Sequence, residues 1–184
     1  NTDVTFTNTS ITGYGQSCTQ NVVYAWDFGD GATSAAVNPS HAYTVAGNYT
    51  VTLVAQGYCG FSVPISKTIC IEGPLTPSFT LDNAVGCTPL AITATNTTNE
   101  VNTCLSPTYL WTVSYAAANC GTAVAIPSQS TKNASYNFTM PGIYTIKLTA
   151  TNSCGSLSNS QTVQVKKPPT ARIAAIANTC GTAA

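Results

Sequence analysis

The strongest structural signal in this sequence is the run Tyr24-Ala25-Trp26-Asp27-Phe28-Gly29-Asp30-Gly31. Its aromatic residues stand at alternate positions, the pattern of a β-strand that buries one face. The two glycines permit positive φ in a turn that ends the strand, and the two aspartates can accept backbone N–H bonds there. The run therefore predicts a half-buried strand that leads into a tight turn.

The chain is an internal duplication. Three segments match in order: Val4–Ser10 with Ile92–Thr98, Tyr24–Trp26 with Tyr109–Trp111, and Gly47–Leu53 with Gly142–Leu148. The offset runs from 85 (Trp111 minus Trp26) to 95 (Gly142 minus Gly47), so the order is kept while the loops differ in length. Apolar residues alternate in both copies, and no stretch has a 3.6-residue period. We expect an all-β chain of two antiparallel β-sandwiches, each with one tryptophan in its core.

Composition restricts the possible partners and the compartment. Only 7% of the residues are charged, and six basic residues balance six acidic ones, so no patch can neutralise nucleic-acid phosphates or anionic lipids. No run approaches the ~20 apolar residues of a membrane-spanning helix. The eight cysteines include no Cys-x2-Cys pair, which favours disulfides over zinc ligation. We therefore expect an extracellular protein that binds no nucleic acid and does not insert into membranes.

The first copy resembles the PKD (polycystic-kidney-disease-type) repeat, an immunoglobulin-like β-sandwich of microbial surface proteins. The resemblance rests on Trp26–Gly31, on Asn38-Pro39-Ser40-His41-Ala42-Tyr43 and on Gly47-Asn48-Tyr49-Thr50-Val51-Thr52-Leu53. The second copy has Thr112–Tyr115 in place of the FGDG turn, so its membership rests on the duplication. The residues that the resemblance assigns to the structural motif are Trp26, Asp27, Phe28, Gly29, Asp30, Gly31, His41, Tyr43, Gly47 and Tyr49 in the first copy and Trp111, Gly142 and Tyr144 in the second.

The ends of the two copies do not match. The second copy opens with Pro77–Leu81 and Cys87, and Pro169–Ile173 and Cys180 repeat that opening at offsets of 92 (169 − 77) and 93 (180 − 87). We expect domain 1 at residues 1–73, without its first strand, domain 2 at residues 74–167, and a donor or linking strand at residues 168–184. This strand either completes domain 1 of a neighbouring copy, head to tail, or belongs to a longer covalent tandem of which this chain is one window.

The resemblance also guides the disulfide predictions. In an immunoglobulin-like sandwich the loops that carry Cys18 and Cys59 lie at the same end, and Cys104 and Cys154 occupy the matching positions. Cys120 lies in an insertion of about ten residues in the second copy (31 positions from Trp111 to Gly142, against 21 from Trp26 to Gly47). The predicted pairs are Cys18–Cys59, Cys104–Cys154, Cys87–Cys120 with Cys87–Cys70 as its competitor, and Cys70–Cys180 between copies.

The candidates for chemistry are few. Asp27 and Asp30 suggest a calcium site, but Ca²⁺ takes six to eight oxygens and only two carboxylates are local, so turn capping is preferred and a chelator should leave the melting temperature unchanged. His41 near an aspartate suggests a triad, yet the second copy has Tyr136 at the matching place. Asp82 and Glu100 lack the setting of a glycosidase acid pair. We expect no enzyme, no cofactor and no metal.

These observations favour a structural or adhesive segment of a bacterial surface adhesin or extracellular filament, with surface glycans or other cells as further partners. The alternative is a carbohydrate- or protein-binding module of a secreted hydrolase, and a cell–cell adhesion ectodomain is a third reading. A binding module predicts an exposed aromatic platform, whereas a spacer predicts large end-to-end contacts. The tyrosines are expected to pack in the cores.

Overall fold

A computed structural model describes residues 2–11, 22–57, 60–101, 103–116 and 125–174. These ranges form fourteen strands and no helix, hence no helix that is long and apolar enough to span a membrane. Domain 1 contains β1 (Thr2–Thr5), β2 (Val23–Asp27), β3 (Thr33–Ser34), β4 (Ser40–Tyr43), β5 (Gly47–Gly57), β6 (Gly60–Phe61) and β7 (Ile65–Ile71). Domain 2 contains β8 (Phe79–Leu81), β9 (Val85–Cys87), β10 (Leu90–Asn96), β11 (Thr108–Ala116), β12 (Ala134–Phe138), β13 (Gly142–Asn152) and β14 (Gly155–Lys166).

Domain 2 is a sandwich of two sheets, with strand orders β12-β10-β8 and β11-β13-β14-β9. Burial alternates along β13, where Tyr144, Ile146 and Leu148 face the core and the residues between them are more exposed. Trp111, which is fully buried, lies among them on β11. The period-two pattern of the sequence thus becomes the inner face of one sheet.

The opening segment of domain 2 closes both sheets along one edge. β8 pairs with β10 in the first sheet, and β9 then pairs with β14 in the second. The Phe79 ring on β8 packs edge-on against Trp111, with ring centroids 5.1 Å apart. This segment therefore covers the core where the sandwich would otherwise open.

The described residues of domain 1 follow the same plan without that closing segment. β5 lies between β2 and β7, and β1 pairs with β4. Among the described residues, β1 pairs with no strand besides β4 and β7 with none besides β5. The described core has five buried residues, Trp26, Phe28, Tyr43, Val51 and Ile71, against fifteen in domain 2.

Strand registers confirm the duplication. Val4 lies opposite His41 in domain 1, as Ile92 lies opposite Tyr136 in domain 2. Each tryptophan donates its indole N–H to a backbone carbonyl at 3.0 Å, Trp26 to Ala36 and Trp111 to Thr131. The predicted all-β, tandem immunoglobulin-like architecture is confirmed, including one tryptophan in each core.

The disulfide of the described residues joins Cys70 to Cys104, with their Cα atoms 5.7 Å apart. The predicted Cys104–Cys154 and Cys70–Cys180 pairs are therefore wrong, and so is the Cys87–Cys70 competitor. The preferred pairs did not include a disulfide between the two domains of one chain, but β7 ends beside the domain 2 loop that carries Cys104.

The remaining disulfide predictions involve cysteines that the structure does not describe. Cys18, Cys59, Cys120 and Cys180 lie outside the described residues, so Cys18–Cys59 and Cys87–Cys120 stay predictions. Within the described ranges Cys87 and Cys154 form no disulfide, and both are exposed.

Candidate functional site: the junction between the domains

Glu72 follows β7 directly and connects domain 1 to two loops of domain 2. Its Oε1 accepts hydrogen bonds from the backbone N–H of Cys104 at 2.7 Å and of Leu105 at 3.3 Å. Its Oε2 accepts from the backbone N–H of Ser153 at 3.2 Å and from the Ser153 hydroxyl. One carboxylate thus binds both the loop before β11 and the turn between β13 and β14.

These donors keep the Glu72 carboxyl group ionised. The hydrogen bond from the Ser153 hydroxyl, followed by that from the Cys104 amide, holds the pKa of Glu72 below its ordinary value, while burial acts in the opposite direction. Charge-assisted hydrogen bonds are stronger than neutral ones. At neutral pH the junction is therefore held by a carboxylate anion that accepts from several donors.

The residues around Glu72 hold the linker to domain 2 in three further ways. Cys70 is bonded covalently to Cys104. The Asn152 side-chain amide donates to the Gly73 carbonyl at 2.8 Å. Leu75 is 5% exposed and belongs to the domain 2 core. We call this set the junction: Cys70, Glu72, Gly73 and Leu75 with Cys104, Asn152 and Ser153.

Glu100 supports the loop that presents Cys104. Its carboxylate accepts a hydrogen bond from the Tyr109 hydroxyl at 2.7 Å and pairs with the Lys132 ammonium at 2.9 Å. Burial, and then the hydrogen bond to Glu100, raise the pKa of Tyr109 to about 12. The backbone N–H and the hydroxyl of Thr103 both donate hydrogen bonds to the Glu100 carbonyl, so the loop is fixed just before Cys104.

The sequence-predicted aspartates form a separate structural group in domain 1. Asp27 Oδ1 accepts from the Gly29 N–H at 2.8 Å, and Asp30 Oδ1 accepts from the Ala32 N–H at 3.0 Å. Asp30 Oδ2 lies 2.7 Å from His41 Nε2, and this hydrogen bond is the main cause that lowers the pKa of Asp30. Both carboxylates cap the turn between β2 and β3.

Aromatic rings of the motif pack beside the aspartate-capped turn. The His41 imidazole stacks on Phe28, with ring centroids 4.3 Å apart. Among the described residues no group of three or more His, Cys, Asp or Glu side chains is placed to hold a metal ion.

Two glycines of the motif are required by geometry. Gly29 has φ of +81°, and a Cβ there would lie 2.7 Å from the Thr50 carbonyl oxygen. A Cβ at Gly142 would overlap the Tyr115 ring. Gly31 also has positive φ, at +92°, but a Cβ there would contact nothing within 4 Å. Gly47 is the first residue of β5, as Gly142 is the first residue of β13.

The motif tyrosines pack inward and cap loops with their hydroxyl groups. Tyr49 donates to the Val45 carbonyl at 2.8 Å, and Tyr144 donates to the Met140 carbonyl at 2.9 Å in the matching place. Tyr43 donates to the Phe28 carbonyl at 2.9 Å. In the part of the chain that the structure describes, Phe61 is the one exposed aromatic side chain. That part therefore has no aromatic platform of the kind that stacks on sugars.

Sequence reasoning missed Glu72, Asn152 and Ser153. The available signal was that Glu72 is one of only six acidic residues and follows the last strand of domain 1 directly. Its partners lie 32 and 81 positions further along the chain, and nothing local identifies them.

Two sequence profiles, each described as PKD domain, match residues 2–71 and residues 87–165. The chain belongs to the PKD domain family. The matches leave the linker, including Glu72, Gly73 and Leu75, between the two PKD domains. The junction therefore connects one PKD domain to the next.

Curated relatives match a part of this tandem. A 58-residue segment, 31% of this chain, is 43% identical to "Collagenase ColQ1" of Bacillus cereus strain Q1. A 53-residue segment, 29% of the chain, is 43% identical to "Pre-pro-metalloprotease PrtV" of Vibrio cholerae serotype O1 strain M66-2. Each match covers 6% of the relative's length.

Two solved structures align with this chain at low similarity. The FN1-FN3 domains of chicken CNTN1 align over 82% of this chain and 58% of theirs, with 13% identity and a TM-score of 0.41. The N-terminal four Ig domains of Dscam1 isoform 6.44 align over 90% of this chain and 41% of theirs, with 13% identity and a TM-score of 0.39.

Proposed function

We propose that this pair of PKD domains is a non-catalytic, rigid spacer in an extracellular protein, a structural segment of a cell-surface adhesin or filament. The junction is the observation that carries the proposal. The six residues from Cys70 to Leu75 contain a disulfide cysteine, a carboxylate that accepts several hydrogen bonds and a buried leucine.

The physical argument concerns the linker. Domains joined by an unbonded Gly- or Ser-rich linker reorient freely, and relative motion is the default where the interface is small. Here Cys70, Glu72 and Leu75 are each fixed to domain 2 by a different kind of interaction. Reorientation would require the carboxylate to leave its donors and the leucine to leave the core. Such a junction transmits force and orientation from one domain to the next.

An extracellular location fits the same features. A disulfide between two domains persists in an oxidising compartment and is reduced in the cytosol. The low charge and the threonine-, serine- and asparagine-rich strand faces suit a segment whose role is reach rather than electrostatic capture.

A binding module of a secreted hydrolase is the second candidate. It is favoured by the 43% identity of short segments to a protein named a collagenase and to one named a metalloprotease. The buried positions of both tryptophans and the single exposed aromatic ring of the described part support the spacer instead.

The test is whether the two domains tumble as one body. We expect backbone ¹⁵N relaxation of the full chain, carrying Ile173→Asp at an exposed position so that copies do not associate, to fit a single anisotropic rotational diffusion tensor for both domains. The triple variant Cys70→Ser/Cys104→Ser/Glu72→Gln should require two tensors. Asp3→Asn is the matched control, because it removes the same charge from an exposed position of β1. Independent tumbling of the domains in the Ile173→Asp chain with an intact junction would contradict the proposal.

A further inference from the structure

An open groove lies along the uncovered edge of domain 1. It has a volume of about 650 Å³ and passes between the β1 side and the β7 side of the sandwich. Phe6, Trp26 and Leu53 line it, together with Thr9 from the segment after β1 and Ile69 from β7. Its lining is mainly apolar, so water is a poor occupant.

Domain 2 shows what occupies the equivalent place. There β8 lies on β10 and covers the core, and Trp111 and Leu148 are both 0% exposed. Their counterparts in domain 1 are less covered, since Trp26 is 7% exposed and Leu53 is only partly buried. The groove is thus the place where domain 1 lacks an equivalent of β8 among the described residues.

We propose that this groove binds residues 169–173 of a second copy of the chain as an antiparallel strand paired with residues 6–8, which directly follow β1. The segment Pro169-Thr170-Ala171-Arg172-Ile173 repeats Pro77-Ser78-Phe79-Thr80-Leu81 at an offset of 92. In the structure it is irregular and exposed, and the Ile173 side chain is 93% exposed. This exposed apolar side chain therefore belongs to a segment whose counterpart in domain 2 forms the edge strand β8.

The register of domain 2 fixes the expected pairing. Ala94 lies opposite Leu81 and Asn96 opposite Phe79. With Val4 equivalent to Ile92, these pairs become Phe6 opposite Ile173 and Asn8 opposite Ala171. Main-chain pairing of this kind is strand addition at an exposed sheet edge.

The hydrogen bonds beyond the strand carry over in the same way. The Thr97 N–H donates to the Ser78 carbonyl at 2.8 Å, and the Ser78 N–H donates to the Thr98 hydroxyl at 3.2 Å. In the complex the Thr9 N–H would donate to the Thr170 carbonyl, and the Thr170 N–H to the Ser10 hydroxyl. Thr9 and Ser10 both line the groove and are exposed.

Side-chain sizes are complementary between strand and groove. In domain 2 the small Ala94 is on the receiving strand and the large Phe79 is on the added strand. In domain 1 the sizes are exchanged, because Phe6 takes the place of Ala94 and Ala171 that of Phe79. Phe6 already packs beside Trp26 at 5.7 Å between ring centroids, so an alanine fits there and a second ring would not.

Geometry excludes the same chain as the donor. The turn between β13 and β14 touches Glu72 at the junction, and β14 runs twelve residues away from it, about 36 Å. Ile173 follows Lys166 by seven residues and reaches at most about 25 Å from it. The segment therefore cannot return to domain 1 of its own chain. A head-to-tail contact of this kind does not close, so it produces a fibre.

This inference deepens the proposed function, because spacers joined end to end form a filament. It does not depend on a rigid junction, so the two fail separately: a flexible fibre would contradict the spacer alone, and a rigid monomer would contradict the assembly alone.

The first experiment measures the size of the 184-residue chain by sedimentation velocity and negative-stain microscopy. We expect linear assemblies for the unmodified chain and monomers for Ile173→Asp, whose substitution lies in an exposed segment and leaves both domains folded. The control is Val101→Asp, which places the same charge at a side chain that is 83% exposed on domain 2. A monomeric unmodified chain would overturn the proposal and leave the covalent tandem as the source of the strand. Equal assembly of the Ile173 and Val101 variants would overturn it too.

The second experiment exchanges the side-chain sizes. Ala171→Phe should weaken assembly at least tenfold, because the groove already holds Phe6. Mixing Phe6→Ala/Ile173→Asp chains with Ala171→Phe chains should restore binding, since this pair reproduces the arrangement of domain 2. A mixture that binds no better than Ala171→Phe alone would refute the assigned register. If Phe6→Ala destabilises domain 1, the effects of Ala171→Phe and Ile173→Asp on assembly still test the proposal, because neither substitution lies in a folded domain.

Discussion

At the scale of single residues, Glu72 has a larger role than its position in a short linker suggests. In a chain with six acidic residues, it places both carboxylate oxygens on donors from the other domain. Asp27 and Asp30 act within one turn, whereas Glu72 acts between domains. The same chemistry, a carboxylate that accepts backbone N–H bonds, thus stabilises a turn in one place and an interdomain junction in the other.

The lowered pKa of Glu72 gives a prediction for acid solution. Its stabilising interactions are fully present above the ordinary pKa of glutamate and are lost as the pH falls through the lower folded-state pKa. We expect the amide resonances of Cys104 and Ser153 to titrate together below pH 4.5 in the monomeric Ile173→Asp chain and not in the same chain with Glu72→Gln. A shared midpoint at or above 4.5 would contradict this assignment.

Gly29 gives a second prediction at this scale. Gly29→Ala should lower the free energy of unfolding of domain 1 by about 1–3 kcal/mol, because it adds a clash with Thr50 to an unfavourable positive φ. Gly31→Ala, with positive φ in open space, should cost less, and Gly57→Ala, with neither feature, should cost least. Urea unfolding followed by near-UV circular dichroism measures all three. The reverse order would disprove the explanation.

At the scale of elements, the two domains differ mainly in β8 and β9. In domain 2 these short strands close both sheets and bring Phe79 against Trp111. Domain 1 keeps the remaining strands in the same registers with a smaller described core. Two copies of one plan therefore differ in how well their interiors are covered.

This difference predicts unequal stability. Less apolar surface is buried in domain 1, so its strands should open at a lower free energy. We expect the amides of Thr50 and Thr52 on β5 to exchange with solvent faster than those of Thr145 and Lys147 on β13, by at least tenfold in dilute monomer. Hydrogen-exchange mass spectrometry of the Ile173→Asp chain measures this without assembly. Equal protection of β5 and β13 would mean that β8 and β9 contribute little.

Sequence alone predicted the elements better than their connections. Alternating residues around Trp26 and Trp111 predicted strands and cores, because period-two burial is a local property. The Cys104 pairing was predicted wrongly, because a disulfide depends on which loops meet in space. Ser153 carries no local pattern, and the position of Glu72 after the last strand of domain 1 does not identify its partners. The junction therefore follows from how one domain is placed on the next.

At the scale of the whole molecule, the junction determines how tension passes along the chain. The Cys70–Cys104 disulfide transfers load directly from the end of β7 to the loop before β11. The segment between these cysteines, with the linker and β8 to β10, is then removed from the path of the force. A spacer built in this way keeps its linker and the closing strands of domain 2 in place when it is pulled.

Single-molecule force spectroscopy of the chain, pulled from its two ends without reductant, tests this most directly. The disulfide locks 34 positions, so Cys70→Ser/Cys104→Ser should lengthen the fully unfolded chain by about 110–120 Å relative to the chain that keeps this disulfide. Both chains carry Cys87→Ser and Cys120→Ser, because a Cys87–Cys120 bond would overlap the Cys70–Cys104 loop and hide its release, so the difference isolates this bond. An unchanged length would contradict the covalent junction. An increase of about 165–180 Å would instead indicate a bond across the 50 positions from Cys104 to Cys154 (154 − 104).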